Sequence, residues 1–95
     1  TKDYVNAFFS GKKPLASSNG LVWTAQFADS VRYTNASLYH AIKFALSAPE
    51  KICLSPVSGF HHASPKCGLG YCTFSGQVIA SVKIFRETRL KGAYI

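Results

Sequence analysis

Apolar positions fall into helical spacing over most of the chain. Tyr4, Val5, Phe8 and Phe9 line one face of a 3.6-residue period, and the pattern predicts a helix over 3–9 with Ser10-Gly11 as its stop. Lys12 to Gly20 gathers Pro14, Ser17, Ser18, Asn19 and Gly20 and reads as a loop. Trp23, Phe27 and Val31 recur every fourth position, which favours a helix over 21–31. Thr34 or Asn35 is then placed to cap a further helix, with Leu38, Ile42, Ala45 and Leu46 on one face and Pro49 ending it.

The character changes at Lys51. Ile52, Cys53 and Leu54 form a short unbroken apolar run, the pattern of a strand buried on both faces, and Cys53 reads as inert core. A long Gly-, Ser-, Pro- and His-rich segment follows, from Pro56 to Thr73. Helical spacing returns over 74–87, with Val78, Ile79, Val82 and Phe85 inward and Lys83, Arg86 and Glu87 outward. Lys91 to Ile95 looks like the start of another buried strand. Strand, loop, helix and strand make a βαβ unit, so the expected class is α/β: part of an open, mostly parallel sheet with flanking helices, incomplete in this chain.

Composition narrows the picture. The 95 residues suffice for one small domain with a thin core. With 47% apolar and 16% charged residues, a disordered tail is excluded. No apolar run approaches membrane-spanning length, so no membrane partner is expected, and no secretory leader is visible at the start. The formal charge of +7 admits an anionic partner such as nucleic acid, but the cations are scattered, which weakens that reading. Three cysteines without a leader suggest reduced thiols and a cytoplasmic setting, with the nucleus also open. The lack of methionine, the start at Thr1 and the apolar finish from Gly92 to Ile95 lead to the expectation of one internal segment, 1–95, continuing beyond Ile95.

The candidate chemistry lies in the long loop. In open α/β sheets, ligands bind beyond the carboxyl ends of strands, where this loop would emerge. His61 and His62 stand side by side there, and imidazole titrates near neutral pH, which suits proton transfer. Two other readings compete. His61, His62, Cys67 and Cys72 are all zinc-ligand types, although no second Cys-x2-Cys pair supports such a site. Alternatively, the histidines are exposed or satisfied by backbone groups, and the cysteines are small hydrophobes. His40 reads as a surface or packing residue, and Trp23 as a core or interface anchor.

Ser58-Gly59-Phe60-His61-His62-Ala63, followed by Gly70-Tyr71-Cys72-Thr73-Phe74, resembles the paired motifs of the histone deacetylase family, within the arginase/deacetylase superfamily. The flanks Lys2 to Val5, Ala36 to Leu46 and Gly92 to Ile95 are similar to the corresponding segments of that family, so the likeness covers an internal stretch of its catalytic domain. The resemblance implies a zinc-dependent amidohydrolase acting on an acyl amide such as acetyl-lysine or an acetylated amine. It assigns His62 as general base and then acid, His61 as its electrostatic and hydrogen-bonding partner, and Gly70 and Tyr71 as one wall of a tunnel for the acyl-amine chain.

Tyr71 stands where the family usually has Phe, and Ser75-Gly76 follows Phe74 where Asn is usual. The family's zinc ligands would begin just past Ile95. The acidic residues here, Asp3, Asp29, Glu50 and Glu87, all lie outside the motif loop, so the segment alone is not expected to hydrolyse anything. The remainder of the domain would come from a continuation or a second chain. The rival expectation is a catalytically inactive basic module that binds nucleic acid or a protein partner.

Overall fold

In a computed structural model, which describes residues 1–93 and 95, the chain forms three helices. Helix α1 (Lys2–Ser10) begins where Thr1 Oγ1 accepts the Tyr4 N–H at 3.3 Å. It ends at Gly11, which is left-handed at φ 73°. There the Lys12 N–H donates to the Ala7 carbonyl at 2.8 Å and the Gly11 N–H to Phe8 at 3.2 Å, a Schellman closure that satisfies two otherwise free carbonyls. A Cβ at Gly11 would lie 2.9 Å from the Trp23 ring, so glycine is required by space as well as by conformation. The indole N–H donates to the Phe8 carbonyl at 2.6 Å, which seats Trp23 over the helix end.

After a single 3-10 turn (Leu15–Ser17), helix α2 runs without interruption from Ala25 to Ser47. Its cap is Thr24, whose Oγ1 accepts the Phe27 N–H at 3.0 Å. The expected break near Thr34 and Asn35 does not occur. Both side chains bond backwards, Thr34 to the Ser30 carbonyl at 2.9 Å and Asn35 to Val31 at 2.8 Å, which spares the helix a cap in its interior. Ala48 is already extended, as the residue before Pro49 must be.

Helix α3 (Gly76–Glu87) packs along α2, but with another face than the spacing suggested. Gly76, Ala80 and Ile84 are buried, whereas Val78, Ile79, Val82 and Phe85 are exposed. The small Gly76 and Ala80, one turn apart, let the two helices approach closely, and the bulkier stripe is left outside. Val78, Val82 and Phe85 of that stripe, together with Leu38 and Ile42 of α2 and Ile95, line an apolar groove of about 900 Å³.

The core is small and aromatic. Tyr4 and Phe8 of α1 and Ala28 and Val31 of α2 are buried, with Phe9, Phe27 and Phe74 packed against them. Phe8 sits at the centre, its ring edge-on to Phe74 at 5.2 Å and to Phe27 at 6.0 Å between centroids.

The expected α/β class is overturned: the described residues contain neither strands nor a sheet, and an isolated antiparallel bridge joins Leu69 to Cys72. Ile52 and Leu54 are 79% and 84% exposed, and Cys53 is exposed and not core. The apolar run has the composition of a strand, but a strand is defined by a ladder to a second segment, and none of the described residues pairs with this one. Lys91 to Ala93 is likewise irregular, and Ile95 is exposed; Tyr94, part of the same expected strand, lies outside the described residues. With no parallel strands there is no βαβ crossover. The long loop therefore leaves an unpaired irregular segment and not a sheet edge. No helix among the described residues is long and apolar enough to cross a membrane.

Candidate functional site

The imidazole pair sits on a tight turn. The Ala63 N–H closes it by donating to the Phe60 carbonyl at 3.3 Å, and Gly59 enters it at φ 89°. The His61 and His62 ring centroids are 4.0 Å apart, with planes tilted 47°. Both residues are exposed, so they are open to solvent and to an incoming ligand. Beyond His62, the segment Ser64 to Cys67 curls on itself: Ser64 Oγ accepts the N–H groups of Lys66 at 3.2 Å and Cys67 at 3.1 Å.

The second motif comes back against the first. Gly70 is left-handed at φ 53°, and a Cβ there would stand 2.9 Å from His62 Cδ2. The His62 ring thus lies directly over the backbone of Gly70, a contact that only glycine permits. Tyr71 is also left-handed, at φ 63°; it is 71% exposed, with its ring turned towards Gly20. Of the expected site residues, His61, His62 and Gly70 are in one cluster, with Tyr71 following directly in the chain. A cavity of about 80 Å³ lies behind the turn, lined by Ser58, Gly59, Phe60, Tyr71 and Thr73 with Asn35 of α2. The imidazoles do not line it.

Residues distant in sequence hold this loop in place. Asn19 is buried and makes three bonds. Its Nδ2 donates to Thr73 Oγ1 at 2.8 Å, its Oδ1 accepts the Leu21 N–H at 2.9 Å, and its carbonyl accepts the Tyr71 N–H at 2.8 Å. The Tyr4 hydroxyl donates to the Thr73 carbonyl at 2.7 Å, and Ser18 Oγ accepts the Gly68 N–H at 2.8 Å. Burial pushes the Tyr4 hydroxyl above its ordinary value of 10.0; the neighbouring Cys67 acts in the same direction and the Ser18 hydroxyl opposes it. None of these supports stands out in the sequence. Asn19-Gly20 looks like ordinary turn chemistry, and Tyr4 like one more apolar position of α1.

The donor set does not suit a zinc ion. No group of three or more His, Cys, Asp or Glu side chains comes together among the described residues. Cys72 is buried, while Cys67 Sγ lies 3.4 Å from Ser64 Oγ. The four residues His61, His62, Cys67 and Cys72 therefore do not form a zinc site. Two of the four acidic residues are engaged elsewhere, Asp29 with Arg32 at 3.5 Å and Glu87 with Lys83 at 2.7 Å. The described residues do not fit a metal by themselves.

No protein-family model, no curated protein and no solved structure was found to match the chain.

Proposed function

We propose that this segment carries the proton-handling part of a zinc-dependent amidohydrolase of the deacetylase type, acting on an acyl amide such as acetyl-lysine or an acetylated amine. The observation that carries the reading is the contact of His62 with Gly70, which brings the Gly-Phe-His-His-Ala and Gly-Tyr-Cys motifs into one cluster. In this proposal His62 takes the proton of the attacking water and then delivers it to the leaving amine. His61, its ring 4.0 Å away, holds and stabilises the charged imidazole. The backbone of Gly70 and the Tyr71 ring border the acyl-amine chain.

The zinc and its ligands are proposed to come from outside residues 1–95, from a continuation or a second chain. The same polypeptide is proposed to cover the apolar surface left by Ile52, Leu54 and the groove beside α3. A cytoplasmic or nuclear location is part of the proposal, consistent with three cysteines outside any disulfide.

The test is His62→Ala in the intact protein with zinc supplied and an acetyl-lysine peptide as substrate. Loss of general acid–base catalysis is expected to lower kcat by about 100- to 10,000-fold. Unchanged hydrolysis rejects the role. A protein without hydrolytic activity whose affinity for DNA or RNA falls steeply with salt would instead be the basic binding module that the charge of +7 admits.

A further inference from the structure

Phe60 heads the turn that bears both imidazoles, and it is buried at 6% exposure. Its ring rests on the first residue of α3. A Cβ on Gly76 would stand 2.6 Å from Phe60 Cδ1 and Cε1, and 2.7 Å from Asn35 Oδ1. These distances are far inside ordinary contact between non-bonded atoms. Gly76 itself is helical, so its backbone conformation does not call for glycine, and glycine is a poorer helix former than alanine. The reason for a glycine at this position is the space it leaves. Asn35 Oδ1, a buried acceptor without a hydrogen-bond partner among the described residues, closes the same space from α2.

We infer that Gly76 is a positioning residue for the imidazole pair: by lacking a side chain, it seats the Phe60 ring and so sets where His61 and His62 stand. The chain of contacts is short. Gly76 touches the Phe60 ring, the Phe60 carbonyl closes the turn through Ala63, and the turn carries His61 and His62 between those two residues. Helix α3 and α2 together thus form the floor on which the turn sits, while Gly70 lies against the His62 ring and Asn19 holds the segment after Gly70 through Tyr71 and Thr73. The kinetic consequence rests on the proton-relay reading above; the placement of the rings does not.

The experiment uses the intact protein with zinc supplied and its histidines labelled with 15N. Gly76→Ala is compared with the double variant Gly76→Ala/Phe60→Leu. In Gly76→Ala the imidazole cross-peaks of His61 and His62 are expected to move while those of His40 stay in place. Because a displacement of about 1 Å can cost on the order of 100-fold, kcat on an acetyl-lysine peptide is expected to fall by up to that factor with KM little changed. The smaller leucine side chain of the double variant gives the added methyl room. It is expected to return the cross-peaks towards their original positions and to recover kcat, or to restore the fold if Gly76→Ala alone unfolds. Unmoved His61 and His62 cross-peaks in Gly76→Ala, or shifts or unfolding that Phe60→Leu does not relieve, overturn the inference. If the unmodified protein hydrolyses no acyl amide, that failure falls on the proposed function alone, and the cross-peaks still decide the role of Gly76.

Discussion

Asn19 carries more of the loop than any residue with catalytic chemistry. It lies 54 positions before Thr73, yet its side chain and carbonyl bond both Thr73 and Tyr71 from the buried side. Replacing it with alanine leaves the Thr73 hydroxyl and the Leu21 N–H without these partners. Asn19→Ala is expected to destabilise the protein by about 1–3 kcal/mol per group left unsatisfied, read from the shift of the urea midpoint at unchanged slope. A midpoint within error of the parent would show that water replaces the amide without cost. The residues at stake are only partly visible in the sequence. His61, His62 and Gly70 can be picked out because their chemistry is local and their spacing distinctive. Asn19, Ser18 and Tyr4 act through contacts at separations of 50 to 69 residues, which no local pattern records.

The helices show the same division between local and remote causes. The stop of α1 at Gly11 and the end of α2 before Pro49 are readable because capping and proline geometry are settled within a few residues. The continuity of α2 is not, since a threonine or asparagine can cap a helix or bond back into one, and the choice depends on what packs around it. Two threonines at the start and middle of one helix therefore differ in consequence. Thr24→Ala removes the oxygen that holds the Phe27 N–H and is expected to cost about 1 kcal/mol. Thr34→Ala loses only a bond to a carbonyl already engaged in the helix, gains helix propensity, and is expected to change stability by less than about 0.5 kcal/mol. Equal losses in thermal or urea unfolding would contradict the assignment of Thr24 as the cap. The inward face of α3 differs from the expected one because bulk is a poor guide to burial where helices pack closely. Gly76 and Ala80 are buried since small residues admit α2, and most of the larger side chains face outward.

For the molecule as a whole, the helical array accounts for little of the apolar material. Its core is one aromatic cluster around Phe8, while Ile52, Leu54 and the stripe along α3 stay in contact with water. Exposed apolar surface of this extent is what the proposed continuation or second chain would cover. The βαβ expectation fails here for a physical reason: strand identity is a property of two segments, and the sequence of one cannot supply its partner. If further polypeptide covers this surface, Cys53, exposed here between Ile52 and Leu54, becomes shielded. Alkylation of Cys53 in the intact native protein is then expected to be much slower than in urea, followed by mass spectrometry of the peptide. Equal rates in both conditions would show that nothing lies over the segment.

The seating of Trp23 has a practical corollary. It is the lone indole of the chain, and it is tethered to the Phe8 carbonyl beside Gly11. Its fluorescence is therefore a private reporter of the seam between α1 and the start of α2, whereas ellipticity is dominated by the 23-residue α2 and the 12-residue α3. Following both optical readouts through a single melt tells whether the aromatic cluster dissolves together with the long helices or ahead of them.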